Sequence, residues 1–305
     1  MPFITRFKIA LKVLVFITRF KIALKVLLFA LMFMSISACT STTTLMFVPF
    51  KSMPVMPSKV GLEFEEIHHE AVDGTKLLSW WLPAQGAYLN KAKGTVLFLH
   101  GNAQNISYHQ FSANWLPNEG YNVFMLGYRE YGQSEGLAML PDIFMDVHSG
   151  LDWILANKAA NRPVVIFGQS MGASLAVYGL ASYSQAEKVD AVILDAGFSS
   201  YPEIAATAMS RNWFTWPLIP AAWAITDEYD PQSWIAQWPD SLSLLMFHSP
   251  NDQIVPYEQG RKLFDQAKEP KLWQESQGRH IATFRHEKLR GAALSFMAGL
   301  TKLSD

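Results

Sequence analysis

The feature that most constrains the fold is an abrupt change from a strand pattern to a helix pattern within residues 163–181. There the apolar run PVVIFG is followed by QSMG and then by the small-residue pattern ASLAVYGLA. Gly168 and Gly172 flank Ser170 on either side. A turn this tight requires small residues, and it exposes a serine hydroxyl at the end of the strand, next to a helix N-terminus. The pattern therefore predicts either a glycine-lined turn of an α/β protein or a nucleophilic Ser170.

Strand and helix patterns alternate along the rest of the chain. Two extended runs flank Asp73-Gly74, a dipeptide typical of a hairpin turn. Further apolar strand patterns lie at 95–101, 121–128, 163–168, 191–197, 243–249 and 271–276, with helix patterns near 107–118, 142–157, from 171, and near 283–302. Near-continuous apolar strands alternating with helices are typical of a mostly parallel sheet covered on both faces. We therefore predict an α/β domain over residues 61–305, with two antiparallel leading strands followed by βα units.

The composition is that of a large globular protein. Half of the 305 residues are apolar, and 25 Lys and Arg balance 26 Asp and Glu. The chain therefore has enough apolar side chains for a large core and no basic excess to attract nucleic acid, so no nucleic-acid partner is expected. The single cysteine, Cys39, excludes a disulfide within the chain. His68 and His69 are adjacent in a strand pattern and point to opposite faces, so we predict no metal site.

The N-terminal segment has the character of a targeting sequence. FITRFKIALKVL occurs at 3–14 and again at 16–27, and no acidic residue precedes Glu63. The apolar run VLLFALMFMSISA that follows is shorter than the roughly 20 residues that span a bilayer. A basic region followed by a short apolar run is typical of a signal peptide. We predict a signal peptide over residues 1–38; an uncleaved anchor helix and an organellar transit peptide are the alternatives.

The apolar run ends in ISAC, at Cys39. This motif resembles the bacterial lipobox, in which cleavage before the cysteine is coupled to diacylation of its sulfur. The resemblance implies lipid attachment at Cys39 and a membrane-anchored lipoprotein of the cell envelope that faces outside the cytoplasm. Residues 39–60 are rich in Thr, Ser and Pro without clear periodicity, and they predict a tether to the globular domain.

A serine hydroxyl becomes a nucleophile when a histidine accepts its proton and an acid orients that histidine. The strand pattern LLMFHS leads into NDQIVP, which places Asp252 in the following loop, and KLWQES leads into QGRHIAT, which places His280. Both loops follow the carboxyl ends of strands, where open α/β sheets bind ligands. We predict Ser170 as nucleophile, His280 as base and Asp252 as acid, with His286 and Asp195 as the alternative base and acid.

Acyl transfer also requires backbone N–H groups that stabilise the negative charge on the carbonyl oxygen. We predict one from Met171, the residue after Ser170, and one from Asn102, in the loop HGNAQN that follows the third strand.

The segments FLHGNAQNIS, YREYGQSEG, GQSMGAS, NDQIVP and GRH together resemble the α/β-hydrolase superfamily over nearly all of residues 61–305. They look most similar to its cap-poor serine hydrolases, which include membrane-associated lipid esterases and acyl-protein depalmitoylases. The resemblance implies hydrolysis of an ester, a thioester or an amide through an acyl-enzyme, without metal or cofactor. The expected partners are a small acyl ester or lipid substrate and the membrane.

Residues 198–240, between the sixth strand and the strand that precedes Asp252, contain five tryptophans and predict a small cap-like insertion. These aromatic residues either pack a cap onto the sheet, line an acyl pocket or touch a membrane surface. The sequence is also compatible with two other functions. One is a serine peptidase of the same fold, and the other is a catalytically silent envelope lipoprotein that uses the fold as a binding scaffold.

Overall fold

The computed structural model describes residues 42–157 and 162–301 of the chain, and the predicted signal peptide and Cys39 lie outside these ranges. An eight-stranded sheet forms its centre. The strands are β1 (Glu65–Glu70), β2 (Lys76–Leu82), β3 (Gly94–Leu99), β4 (Tyr121–Leu126), β5 (Val164–Gln169), β6 (Ala191–Asp195), β7 (Ser243–His248) and β8 (Lys271–Glu275). Their order in the sheet is β1-β2-β4-β3-β5-β6-β7-β8.

The two leading strands are antiparallel and the others are parallel, as predicted. β1 pairs with β2 and β2 pairs with β4 in antiparallel register, and every neighbouring pair from β4 to β8 is parallel. Within β3, Val96 and Phe98 join the hydrophobic cluster on one face of the sheet, and Leu97 and Leu99 join the cluster on the other. Successive side chains of a strand point to opposite faces, so a strand buried on both faces is apolar throughout.

Helices cover both faces. They are α1 (Ile106–His109), α2 (Ile143–Asn157), α3 (Met171–Ala181), α4 (Tyr201–Ser210), α5 (Ile219–Ala222), α6 (Pro231–Trp234), α7 (Tyr257–Gln266) and α8 (Glu287–Thr301). Apolar residues of α2 and α3 pack into the cluster that contains Leu97 and Leu99, and those of α8 pack into the cluster that contains Val96 and Phe98. None of the helices in the described ranges is both long enough and apolar enough to cross a membrane.

The helix predicted near 107–118 is shorter than expected. Asn105 caps it by accepting the N–H of Ser107, and the α-helix ends at His109. The chain continues in two 3₁₀ segments, and Pro117 lies in the second. Proline has no N–H to donate and clashes with the preceding turn of an α-helix, so a continuous helix through residue 118 is disfavoured.

Residues 43–60, for which we expected a tether, instead pack against the domain; we call them the strap. Phe47 is buried in the core. Side-chain amides of distant residues hold the strap through its backbone carbonyls: Asn102 donates to Met46 (2.6 Å), Asn105 to Phe50 and Ser52 (2.7 and 2.8 Å), and Gln110 to Val55 (2.7 Å). These donors stand more than 50 residues away in sequence, so local patterns in the strap did not indicate its fixed position.

Candidate active site

Ser170 lies at the turn between β5 and α3 with a strained backbone. Its φ is 55° and its ψ is −118°, a region that residues with a side chain rarely adopt. The turn is fixed on both sides, because the N–H of Ser170 donates to Asp195 O (2.8 Å) and its carbonyl accepts the N–H of Ala173 (3.0 Å). The hydroxyl is thereby presented at the carboxyl edge of the sheet.

The two glycines that flank this turn are required by close backbone contacts. A Cβ on Gly168 would lie 2.6 Å from Ala173 Cα, and a Cβ on Gly172 would lie 2.1 Å from Leu99 O. Both distances are far inside van der Waals contact, and the atoms approached are backbone atoms that cannot move aside. The predicted need for small residues around Ser170 therefore has a direct steric cause.

The structure brings Ser170, His280 and Asp252 together in one hydrogen-bonded chain. His280 Nε2 lies 2.9 Å from Ser170 Oγ, and His280 Nδ1 lies 2.6 Å from Asp252 Oδ2. With the proton on Nδ1, His280 donates to Asp252 and accepts from the serine hydroxyl, which is the arrangement a general base requires. The alternative base, His286, lies exposed just before α8 and makes neither contact.

Asp252 is held as a buried carboxylate. Its side chain is inaccessible to solvent, and Oδ1 accepts the N–H groups of Ile254 (2.7 Å) and Val255 (2.9 Å). Burial alone would raise the pKa of Asp252, but the hydrogen bond and the charge of His280 and these two N–H groups together hold that pKa below its ordinary value. Asp252 therefore stays ionised at neutral pH and orients His280.

Asp195, the alternative acid, has a different set of partners. Its Oδ1 accepts the hydroxyl of Thr283 (2.7 Å), and its Oδ2 accepts the side-chain amide of Gln169 (3.0 Å). Burial raises the pKa of Asp195 to about 6, against the opposing effect of these hydrogen bonds. Asp195 thus ties the loop that carries His280 to the end of β5. From the sequence Asp195 was predicted only as an alternative acid, and its place at the end of the buried strand β6 was the one signal for this bracing contact.

Met171 follows Ser170 directly in the chain, and Asn102 follows Gly101, where a Cβ would lie 3.5 Å from Ser170 Cβ. Met171 is the first residue of α3, where a backbone N–H has no acceptor within the helix. The side chain of Asn102 binds the strap and the loop after β4, since its Oδ1 accepts the N–H of Val48 (3.0 Å) and the hydroxyl of Tyr131 (2.9 Å). The side chain of Asn102 is therefore occupied by these contacts, so the predicted role beside Ser170 rests on its backbone N–H.

An open cavity of about 670 Å³ lies on the His280 side of the site, between α1 and the loop after β8. It is lined by Gln104, Tyr108, His109, Phe111, Ser112, Arg279, His280, Ile281, Ala282, Phe284 and Arg285. None of these lining residues is acidic, and two are arginines. Within the described ranges, no group of three His, Cys, Asp or Glu side chains is arranged to hold a metal ion.

Known proteins resemble most of this chain in sequence or fold. The uncharacterized protein YfhR of Escherichia coli O157:H7 is 34% identical over 225 residues, which cover 72% of this chain and 74% of that protein. The lysophosphatidylserine lipase ABHD12 of Bos taurus is 27% identical over 202 residues, which cover 61% of this chain and 50% of that protein. The esterase Pf2001 of Pyrococcus furiosus superposes with a TM-score of 0.65 at 18% identity, covering 84% of this chain and 97% of the esterase.

Residues 90–244 match the protein family described as serine aminopeptidase S33. This match spans half of the chain and includes β3 to β6, the turn at Ser170 and the whole insertion before β7. The fold, with its two antiparallel leading strands, agrees with the esterase structure. The chain belongs to the serine aminopeptidase S33 family of α/β-hydrolases.

Proposed function

We propose that the protein is a serine hydrolase that cleaves carboxylic esters or thioesters through an acyl-enzyme. The observation that carries the proposal is the hydrogen-bonded chain from Ser170 through His280 to Asp252. It joins the hydroxyl of a residue with a strained backbone to a base whose tautomer is fixed by a buried carboxylate. A residue that only packs or binds has no need of this combination.

In the proposed reaction His280 takes the proton of Ser170 as the serine oxygen attacks the carbonyl carbon. The N–H groups of Met171 and Asn102 donate to the oxygen that becomes negatively charged, and the positive end of α3 adds to this stabilisation. His280 then gives its proton to the leaving alcohol or thiol, and the acyl group stays on Ser170. A water molecule, deprotonated by His280, releases the acid and restores the serine, so every proton is carried by these residues.

We place the leaving group in the cavity beside His280. The leaving group must lie next to the histidine that protonates it, and His280 lines this cavity. Arg279 and Arg285 lie at the same cavity without an acidic neighbour among its lining residues. This side of the site therefore suits a polar or negatively charged leaving group, and the acyl chain lies on the other side, toward the insertion over residues 198–240.

A peptidase or amidase is the second candidate, and the family description, serine aminopeptidase, favours it. The names of two similar proteins, a lysophosphatidylserine lipase and an esterase, favour the ester. The same three residues cleave either bond, so the preference lies in how the substrate is held. A chain-length series of p-nitrophenyl esters, assayed beside aminoacyl amides, measures this preference directly.

Fluorophosphonate labelling tests the proposed nucleophile, because this reagent reacts with activated serines. We expect one label on the wild-type protein and none on Ser170→Ala. We also expect Ser170→Ala to lower the rate of ester hydrolysis by on the order of 10⁴- to 10⁶-fold. The variant removes one oxygen and should keep the fold, which circular dichroism checks. A wild-type protein that neither labels nor hydrolyses would contradict the proposal and favour the binding scaffold.

We further propose that the enzyme is a lipoprotein of the cell envelope, attached to the membrane through Cys39 and facing outside the cytoplasm. The support is the position of the only cysteine at the end of a signal-like apolar run, in the context ISAC. Two acyl chains on one cysteine anchor a protein firmly, whereas a single chain binds only marginally. Substrates at the membrane surface would then lie within reach of the enzyme.

A further inference from the structure

The loop between β3 and α1, residues 100–105, carries the proposed oxyanion donor, the backbone N–H of Asn102; we call it the β3 loop. Its backbone is irregular, and Gln104 has a φ of 73°, in the left-handed region that residues with a side chain rarely adopt. A strained residue in an irregular loop keeps one conformation only where its surroundings determine it. The direction of the Asn102 N–H therefore depends on what the β3 loop contacts.

The strap binds the β3 loop at Asn102 and at Gln104. The side-chain amide of Asn102 donates to Met46 O (2.6 Å), and its Oδ1 accepts the N–H of Val48 (3.0 Å). The N–H of Phe50 donates to Gln104 O (3.2 Å). The residue whose N–H is the proposed donor and the strained residue two positions later are thus both fixed to the strap.

Asn105 fixes the end of the same loop to the strap. Its Nδ2 donates to Phe50 O (2.7 Å) and to Ser52 O (2.8 Å), while its Oδ1 accepts the N–H of Ser107 and caps α1. These contacts require both the donor and the acceptor of a side-chain amide. An aspartate at this position could still cap the helix, but an ionised aspartate could not donate to the strap.

The strap has further contacts that do not involve the β3 loop. Its Thr43 hydroxyl accepts the N–H of Leu140 (3.0 Å), and the side chain of Phe47 is buried in the core. The ammonium group of Lys51 donates to Ser134 O (3.1 Å). The strap is therefore anchored to other parts of the domain, and it can hold the β3 loop in place.

We propose that the strap is a positioning element of the active site, which directs the backbone N–H of Asn102 toward the oxygen that becomes negatively charged. α1 adds one contact, since His109 Nε2 donates to Ala103 O (2.8 Å). The inference rests on the proposed hydrolysis, because an oxyanion donor acts only in acyl transfer. Such a donor stabilises the transition state more than the bound substrate, so its misdirection lowers kcat and changes KM little.

Two buried amide side chains donate to the strap, and only one of them belongs to the β3 loop. Gln110 follows α1 and donates to Val55 O (2.7 Å) and Ser107 O (2.9 Å). Asn105→Asp and Gln110→Glu therefore each remove an amide that donates to two backbone carbonyls. We expect Asn105→Asp to lower kcat on the order of 10- to 100-fold at nearly constant KM, less than the roughly 10²- to 10³-fold cost of losing a donor outright. Gln110→Glu should change kcat by less than about threefold.

A second pair of variants acts from the side of the strap. Phe47→Ala removes the buried ring between the two strap residues that bind Asn102, and Phe47→Leu keeps an apolar side chain there. The N–H groups of Val48 and Phe50 donate to the β3 loop, so their hydrogen exchange, measured by mass spectrometry, reports whether strap and loop are joined. We expect Phe47→Ala to speed this exchange about tenfold or more and to lower kcat, and Phe47→Leu to restore both.

Three outcomes would overturn the proposal. One is an equal fall in kcat for Asn105→Asp and Gln110→Glu, with equal losses of stability in urea, because general destabilisation would explain both. Another is a Phe47→Ala protein with faster exchange and unchanged kcat. The third is a rise in KM at constant kcat, which would assign the strap to substrate binding. A wild-type protein that fluorophosphonate does not label would instead contradict the proposed hydrolysis itself, so the two failures are distinguishable.

Discussion

His280 Nδ1 lies 2.6 Å from Asp252 Oδ2, across 28 residues of sequence and two neighbouring strand ends. β7 and β8 are adjacent and parallel, so the loops that follow them leave the sheet side by side. Asp252 comes from the first loop and His280 from the second. This adjacency, together with the turn at Ser170, assembles the proposed catalytic group from three loops at one edge of the sheet.

Replacing each of the two buried aspartates near His280 by asparagine should lower activity to different extents. Asp252→Asn removes the acceptor that fixes the histidine tautomer, and we expect kcat to fall on the order of 10⁴-fold. Asp195→Asn leaves that contact intact and keeps one acceptor for its partners Thr283 and Gln169, so we expect a loss of about tenfold or less. Steady-state kinetics on a soluble ester compares them. A larger loss for Asp195→Asn than for Asp252→Asn would place the acid on β6.

The histidines at positions 280 and 286 provide a second comparison. His280→Ala removes the proposed base, and we expect its activity to fall nearly as far as that of Ser170→Ala. His286→Ala changes an exposed side chain before α8 and should alter the rate by less than about threefold. Fluorophosphonate labelling should be slow in the first variant and unchanged in the second. Equal losses in both would contradict the assignment.

The turn at Ser170 can be tested through its glycines. Gly172→Ala would place a methyl group 2.1 Å from Leu99 O, so we expect a loss of about 3 kcal/mol or more in the free energy of unfolding. Gly291→Ala is the control, because a Cβ there meets no atom within 4 Å and the residue lies in α8. Alanine favours helix over glycine by about 1 kcal/mol, so the control should be neutral or stabilising. Urea unfolding measures both.

Much of the fold was predictable because a strand buried on both faces is a continuous apolar run, which can be recognised in the sequence. The apolar runs that became β3 to β7 have no polar alternation, and only a sheet covered on both faces buries such strands. Ser170 and Asp252 were predicted because each follows one of these runs, and His280 because it follows the more polar strand β8 and the chemistry demands all three residue types. The order of β3 and β4 in the sheet was not predictable, since it depends on how two crossovers pack rather than on any local pattern.

The strap and the brace at Asp195 could not be predicted for a different reason. Each depends on hydrogen bonds between residues far apart in sequence, such as Asn105 to Phe50 and Asp195 to Thr283. A single polar residue at one end of such a bond looks like any surface or turn residue. The hydrogen-bond partner of each of these residues is defined only once the sheet has brought the loops together.

The proposed lipid anchor predicts a defined mass for the mature protein. If Cys39 is diacylated, the protein extracted from membranes should begin at Cys39 and carry the added acyl groups. Cys39→Ser should block both steps and leave the precursor uncleaved, with little change in activity per folded molecule. Intact-mass measurement of both proteins tests this. A wild-type mass that retains residues 1–38, or that lacks acyl groups, would favour an uncleaved anchor.

The last prediction concerns the pH dependence of stability, through His69 on β1. Its Nδ1 lies 2.5 Å from Ser149 Oγ and its Nε2 lies 2.9 Å from Ser79 Oγ. Burial, with a smaller effect from the nearby charge of His68, lowers the pKa of His69 from 6.5 to about 4. The neutral ring is therefore favoured in the folded state. The stability that it contributes is present above pH 6.5 and is lost as the pH falls toward 4.

A pKa difference of this size corresponds to at most about 3 kcal/mol in the free energy of unfolding. Asp146 and Asp195 act in the opposite direction, because burial raises their pKa values from 3.8 to about 6. As the pH rises from 4 to 6, these carboxyls ionise more readily in the unfolded state, so the free energy of unfolding falls. Comparison with His69→Gln removes these shared contributions. We expect the wild-type protein to be the more stable at pH 8, where Gln replaces only one of the two hydrogen bonds, and the difference to shrink or reverse by pH 5. Urea unfolding at each pH measures this difference. A difference in the free energy of unfolding that stays constant from pH 8 to pH 5 would contradict the role assigned to His69.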